Sequence, residues 1–432
     1  MKTFEQQFSR KSVADAAFRF ISRSAAKGNL VRRSAQFIRS EFHDQVELTS
    51  KLVLEGDYKF RYRGVLLNKF GGGTRGITIL NGMDYVVHSL LLELVQARAE
   101  NAVNSRVSYC KPRYRNSGNK VVANHAACVT GISAAHRECK FGFGTDIKNC
   151  FGSIDRTILS EKLEGLELCP NTKFLLDRAL FTPVDRKPMS ATAEEIEKYW
   201  SDKSGIVQGS PLSPLIANVY LSDVDRVAES FNAFRYVDDV VVLTKTEAEA
   251  RDAESSIFGV LSDLKLPFHK SGDSKYEQIE PANGFTFVGY FFRNGCSRIP
   301  TPKVDKFKAH LSSLGEISAT ERGAHSETLF LKKLLKIDRY IRGWTYFYSH
   351  ANVSSRTKKE LDHAIAEEVN RQLALVDPTI RMRNKRQNMV ATVHTELIRS
   401  RKDKQIEDVD QGVMRPSDYV DSLSGLDSEA PE

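Results

Sequence analysis

A chain of 432 residues with 41% hydrophobic and 27% charged residues is long enough for two or three packed domains and has the balance of a soluble globular protein. No run approaches the roughly 18 apolar residues of a membrane span, and the N-terminal MKTFEQQFSRKSVADAAFRF is broken by charges where a secretory signal needs an apolar core, so no membrane role and an intracellular, cytoplasmic protein are expected. The formal charge is +8, but residues 406–432 hold eight acids against Arg415 alone, which leaves +15 on residues 1–405, a balance suited to a polyanion such as nucleic acid.

The six cysteines, Cys110, Cys128, Cys139, Cys150, Cys169 and Cys296, include no C-x-x-C pair, which argues against a zinc knuckle or a disulfide framework and for free thiols. Residues 1–50 are basic and helix-permissive, with Phe4, Phe8, Phe18 and Phe20 spaced for an apolar face. In the next segment, 51–140, YKFRYRGVLLNKFGGGTRGITIL reads as two strands around Gly71-Gly72-Gly73, and the helix MDYVVHSLLLELVQARAE follows. Residues 141–300 mix short strands with helices, the α+β pattern of helices packed on a mostly antiparallel sheet. The stretch 301–377 is helical, 378–405 is a basic segment with a last helix, and the acidic tail 406–432 reads as disordered.

Within the α+β segment, NAFRYVDDVVVLTKT sets Asp238 and Asp239 side by side at the tip of an apolar hairpin, where they repel. Taken alone, that is also the pattern of a solvated Asp turn. A second block, FGFGTDIKNCFGSID, delivers Asp146 at the end of an alternating strand. Carboxylates brought together from separate strands are compatible with divalent cations that neutralise them, and hard oxygen ligands favour Mg²⁺. Between the blocks lies SGIVQGSPLSPLIANVYLSDVD, where Gln208-Gly209-Ser210-Pro211 reads as a tight turn with Pro in the first turn of the helix that follows.

In this order the blocks resemble the fingers and palm of a reverse transcriptase, continuously over residues 55–300. TDIKNCFGSID is similar to the first catalytic strand of that family, QGSPLSP to its nucleotide-facing loop, YVDD to its catalytic hairpin, and LNKFGGGTRGITIL to its fingers strands. SYCKPRYRNSGN is similar to a segment that group II intron-type enzymes write with Ser-Tyr-Gly-Phe-Arg. The resemblance implies a right-hand α+β polymerase with fingers, palm and an α-helical thumb, acting as an RNA-directed DNA polymerase, a nucleotidyltransferase. It further implies that Asp146 and Asp238 hold two Mg²⁺ ions, with Asp239 completing the cluster. Lys69 and Arg75 would grip the dNTP triphosphate, Phe151 would exclude a ribose 2′-hydroxyl, Gln208 would touch sugar and base, and Lys270 would protonate pyrophosphate. For each, a surface charge or a core aromatic is the plainer alternative.

Farther on, IDRYIRGWTYFYSHANVSSRTKKELDHAI resembles the thumb of group II intron maturases, in which Trp344, Tyr346 and Tyr348 read as core aromatics. Lys332, Lys333, Lys336, Arg339 and Arg342 are placed to track a template–primer backbone, or to form a solvated helix face. Neither a Cys/His cluster of an intron endonuclease nor a retron-like Val-Thr-Gly in the thumb is legible, and Val129-Thr130-Gly131 lies before the first catalytic acid. The expectation is a stand-alone bacterial reverse transcriptase of antiviral defence, copying a dedicated structured non-coding RNA into cDNA. The alternatives are an intron-type reverse transcriptase or maturase without endonuclease, and a non-catalytic maturase-like RNA-binding protein. An RNA-dependent RNA polymerase fits less well, because Phe151 and Val237 both depart from its usual pattern.

Overall fold

Tyr58, Phe60 and Tyr62 are buried while Lys59 and Arg61 between them face solvent, the period of two that commits the segment to extended structure. The computed structural model describes residues 2–24, 29–68, 73–100, 102–103, 105–110, 124–185, 191–316 and 326–376. Lys69, the basic segment 378–405 and the tail 406–432 lie outside the described residues, as do positions 111–119 of the SYCKPRYRNSGN segment. The strands, in chain order, are β1 (Tyr62–Asn68), β2 (Thr74–Leu80), β3 (Phe141–Asp146), β4 (Val184–Asp185), β5 (Asn232–Tyr236), β6 (Asp239–Thr244), β7 (Glu277–Ile279), β8 (Phe285–Phe287), β9 (Tyr290–Arg293) and β10 (Cys296–Arg298).

The chain divides into two units. The first holds residues 2–125 and 142–278 among those described, and the second 126–141 and 279–376. In this partition β8, β9 and β10 group with the C-terminal helices.

In the first unit, helices Arg10–Ser24, Asn29–Ser40 and Phe42–Leu54 follow a short capped turn, Phe4–Gln7, whose Thr3 and Gln6 cap each other reciprocally. Phe4, Phe8 and Phe20 enter the core, whereas Phe18 points to solvent. Antiparallel β1 and β2 pair Leu67 with Arg75 and Asn68 with Thr74, and β4 joins β1 in parallel. The helix Gly82–Ala99 starts at Asn81, whose side chain accepts the amide of Asp84 at 2.8 Å. The central sheet has the order β5-β6-β3-β7. Its strands β6 and β3 are almost wholly buried, with Val240, Val241, Val242 and Leu243 on one and Phe143 on the other.

The second unit pairs β8, β9 and β10 as an antiparallel meander and packs helices Thr301–Gly315, Ser326–Phe347 and Ser355–Val376 against one another. Trp344 and Tyr348 are buried, with Trp344 against Phe307 at 4.5 Å and Tyr348 against Tyr290 at 5.2 Å. These are core aromatics, as the sequence suggested. Lys333, by contrast, is turned inward, its ammonium donating to the carbonyl of Glu316 just past a helix end, so it does not join Lys336, Arg339 and Arg342 on the exposed face. The side chain of Lys332 is outside the described residues. All six cysteines are free thiols. Among the described residues no helix is long and apolar enough to cross a membrane.

Candidate active site

The hairpin joining β5 to β6 is as short as a hairpin can be. Tyr236 pairs with Asp239, so Val237 and Asp238 alone make the turn. Such two-residue turns need a positive φ that matches the twist of the strands, and Val237 supplies it at +60°, an uncommon conformation for a β-branched residue. The peptide chain at the tip is pinned to the neighbouring strand, because the amide of Ile147, the residue after β3, donates to the carbonyl of Asp238 at 3.0 Å. That bond sets Asp146, at the end of β3, beside both hairpin acids.

The three carboxyl groups influence one another strongly. Burial, then Asp238, then Asp146 push the Asp239 carboxyl up to about 8, and Asp239 also shares a side-chain hydrogen bond with Asp146. Asp238 is likewise raised, first by burial and then by Asp146, against the lowering influence of Arg75 and Lys275. The nearest cation is Lys275, whose Nζ donates to Asp146 Oδ2 at 2.7 Å. Beside it, His269 Nε2 lies 3.7 Å from Asp146 Oδ1, and Lys148 Nζ donates to Asp273 Oδ2 at 2.8 Å. Among the described residues no three His, Cys, Asp or Glu side chains converge at ligand spacing. Two carboxylates with a third at hand is nevertheless the donor set from which a Mg²⁺ site is completed by substrate phosphates and water instead of by an all-protein cage.

Lys270 is not brought to the acids. Its ammonium rests over the Phe268 ring, 5.1 Å from the centroid, and its amide donates to Asp273. The lysine at the acids is Lys275, five residues on, which sequence reading passed over in the same run, HKSGDSKY.

Two residues assigned to nucleotide binding from separate blocks do meet. Gln208, in the amide orientation that satisfies both its groups, donates to the carbonyl of Gly76 at 2.8 Å and accepts from Arg75 Nε and Nη2 at 3.2 Å each. The loop is fastened to β2 by the amide of Thr78 donating to the carbonyl of Gln208 at 2.8 Å. Gly209 permits this approach, since its φ is +111° and a Cβ there would stand 2.6 Å from the Thr78 carbonyl oxygen. The helix beyond starts at Ser213, with Pro214 and not Pro211 in its first turn.

Beneath the loop runs a buried polar relay that the sequence did not announce. Ser210 Oγ meets His88 Nδ1 at 2.5 Å, His88 Nε2 meets Tyr62 Oη at 2.7 Å, and Tyr62 donates to the carbonyl of Ala179 at 2.7 Å. Burial drives His88 down to about 3, so the ring is neutral and can donate at one nitrogen while accepting at the other. A lone histidine in an apolar helix gives no sequence signal of such a role.

Phe151 is half-buried and packs on the edge of the core, in the turn Cys150–Ser153 that follows Asp146. Its carbonyl accepts from the amide of Ile206 at 2.9 Å, so the strip leading into Gln208 runs alongside it. Asp146, Asp238, Asp239 and Phe151 thus belong to the same unit as the Arg75–Gln208 pair.

Acids on two adjacent strands thus stand in one unit with a glycine-turn loop and an arginine of β2 that are joined to each other. The family model described as reverse transcriptase (RNA-dependent DNA polymerase) matches residues 67–292, more than half of the chain, and the chain belongs to that family, with its right-hand polymerase fold. The chain is also 27% identical over 175 residues to the "Uncharacterized 91 kDa protein in cob intron" of Schizosaccharomyces pombe. That match covers 40% of this chain and only 19% of the relative, so this chain spans about a fifth of the relative's length. Among solved structures it is similar to telomerase from Candida albicans in complex with a fragment of telomeric RNA, at TM-score 0.42 and 11% identity over 88% of this chain and 69% of that one. Apo telomerase from Candida tropicalis gives TM-score 0.43 and 13% identity over 89% and 74%.

Proposed function

We propose that this RNA-directed DNA polymerase makes cDNA on a dedicated, structured RNA, with two Mg²⁺ ions held by Asp146, Asp238 and Asp239, and that it serves antiphage defence in a bacterial cell. The observation that carries the polymerase chemistry is the pairing of Asp146 with the hairpin acids, since buried carboxylates forced together bind divalent cations in exchange for their protons. Mg²⁺ bound there supplies the charge that activates the primer 3′-hydroxyl and carries the leaving pyrophosphate. Arg75 and Gln208 orient the dNTP, and the phenyl ring of Phe151 limits the sugar to deoxyribose. The +15 body offers a phosphate-binding surface for the template.

Purified protein given Mg²⁺, an RNA template, a primer and dNTPs is expected to extend the primer. The Asp238→Ala, Asp239→Ala double variant should be slower by about three orders of magnitude or more, the several kcal/mol that metal-site catalysis provides. Undiminished synthesis would end the assignment.

The host role is a reading reached by elimination, since neither an intron-endonuclease Cys/His cluster nor a retron-like thumb Val-Thr-Gly is legible in this sequence. A second reading, an intron-type reverse transcriptase or maturase, is favoured by the similarity to a protein in a cob intron. Sequencing the RNA that co-purifies with the protein separates them, because a single structured RNA and an intron RNA differ in sequence and locus. A phage plating assay adds the biological arm: resistance that depends on Asp238 and Asp239 fits defence, and no resistance across a broad phage panel fits the intron reading.

A further inference from the structure

Arg235, in β5 three residues before the first hairpin acid, is 0% exposed, and the polymerase chemistry described above makes no use of it. Its guanidinium is fully engaged. Nε and Nη2 form a fork on Asp225, each at 2.6 Å, and Nη2 also donates to Asn218 Oδ1 at 3.1 Å. Asn218 in turn donates to the carbonyl of Cys110 at 2.6 Å. The remaining arm, Nη1, donates to the carbonyl of Val237 at 2.9 Å.

That last contact is the informative one. A buried ion pair is a weak device for stability, because an apolar pair of similar volume generally serves as well. An arginine buried at this position therefore calls for a reason beyond folding. Val237 is the residue held at φ +60°, and its carbonyl belongs to the peptide that carries Asp238. Asp238 is fastened on its far side by Ile147. Arg235 and Ile147 thus hold the two successive carbonyls of the turn, one from within the hairpin and one from the strand bearing Asp146. Loss of the Arg235 arm frees Val237 to return to negative φ, which rotates the following peptide and the carboxyl that issues from it.

We propose that Arg235 is the positioning residue of the catalytic turn, with Asp225 and Asn218 serving to aim its guanidinium at the Val237 carbonyl. It acts through the backbone, without touching substrate, and sets the geometry in which Asp238 and Asp239 take up Mg²⁺. The inference rests on the polymerase reading, and wild-type protein run in the same primer-extension assay separates the two, since an inactive wild type removes the reading itself.

The test replaces the pair by apolar residues, Arg235→Leu with Asp225→Leu, so that no unpaired charge is left in the core, and places Arg235→Lys beside it as a single conservative change. Melting curves establish folding, and steady-state kinetics give kcat, the KM for dNTP and the Mg²⁺ concentration for half-maximal rate. The expected result for a variant that melts cooperatively is a kcat lower by about 30-fold or more, a dNTP KM within about threefold of wild type, and a Mg²⁺ requirement raised at least about fivefold. A folded variant whose kcat and Mg²⁺ requirement stay within about twofold of wild type overturns the inference. So does a fall in kcat at unchanged Mg²⁺ requirement. If neither variant folds, the arginine is a folding element and the positioning role is withdrawn.

Discussion

Replacing Asp239 by Asn should stabilise the metal-free protein at alkaline pH while abolishing its activity. Burial and the neighbouring acids raise the Asp239 carboxyl from 3.8 to about 8. Below pH 4 the group is protonated whether the chain is folded or unfolded, and it contributes nothing to the difference. Between 4 and 8 the unfolded chain releases the proton and the folded chain keeps it, so stability falls as pH rises. Above 8 both forms are ionised and the full cost is present. Four pH units at about 1.4 kcal/mol each give on the order of 5 kcal/mol as the upper bound for an isolated acid. Relaxation around a half-buried group and the proximity of Lys275 reduce this to about 1–3 kcal/mol.

Asparagine has the same shape, carries no charge, and can donate its amide hydrogen to Asp146, so the substitution removes the cost and retains a partner. For a unit of this size, about 1–3 kcal/mol corresponds to a rise of roughly 3–9 °C in melting midpoint. The assay is thermal unfolding in chelator at pH 5 and pH 8, repeated with Mg²⁺. The advantage of Asp239→Asn should be small at pH 5 and large at pH 8. Added Mg²⁺ should raise the wild-type midpoint more than that of the variant, because the cation binds the folded state through the ionised carboxylates. A variant no more stable than wild type at pH 8, or an advantage that does not grow with pH, refutes the reasoning.

Truncating Phe151 to Ala should let ribonucleotides compete, with the dNTP-to-rNTP ratio of kcat/KM falling by about tenfold or more, as expected for removal of a steric gate. Single and double Ala substitutions at Arg75 and Gln208 should raise the dNTP KM with a coupling of about 0.5–3 kcal/mol, which measures the contact seen between them. Lys275→Met, which removes the cation that lowers Asp238 and Asp239, should move the acid limb of the rate profile to higher pH, whereas Lys270→Met should leave that limb in place. An unmoved limb in the first variant, or a moved one in the second, reverses the roles of the two lysines.

The parts of this site that were legible in the sequence are those whose chemistry shows in the residue type. Asp146, Asp238 and Asp239 are charges in apolar strands, Gly209 marks a turn, and the alternation of Tyr58, Phe60 and Tyr62 has no other use than an extended, one-sided strand. The parts that were not legible are set by distances between segments. Lys270 and Lys275 are equivalent in composition and in local pattern, and only the path of the loop after Phe268 puts one over a ring and the other on an acid. Lys333 and Lys336 fall in one basic run, yet one turns inward to a carbonyl beyond a helix end while the other stays exposed. The grouping of β8, β9 and β10 with the C-terminal helices was not legible for a similar reason. Tyr290 and Phe292 alternate as any strand would, and what decides their company is the aromatic surface of Phe347 and Tyr348 more than fifty residues later.

The same limit explains why two buried residues that touch these loops escaped notice. His88 and Arg235 are titratable groups in apolar elements, a placement that costs free energy unless every polar atom is met. In each case the partners come from far along the chain, Ser210 and Tyr62 for His88, and Asn218, Asp225 and the hairpin itself for Arg235. Each ends on a loop that carries one of the proposed nucleotide or metal contacts. His88 reaches Ser210, two residues from Gln208, and Arg235 reaches Val237, next to Asp238. Both loops use positive φ, at Gly209, where a glycine adopts it freely, and at Val237, where a β-branched residue does so only at a cost. A polymerase palm must hold such turns rigid while its substrate, its product and its template all move past them. Satisfied polar contacts from buried, immobile side chains provide that rigidity more specifically than apolar packing, because a hydrogen bond selects one carbonyl orientation and a methyl group does not.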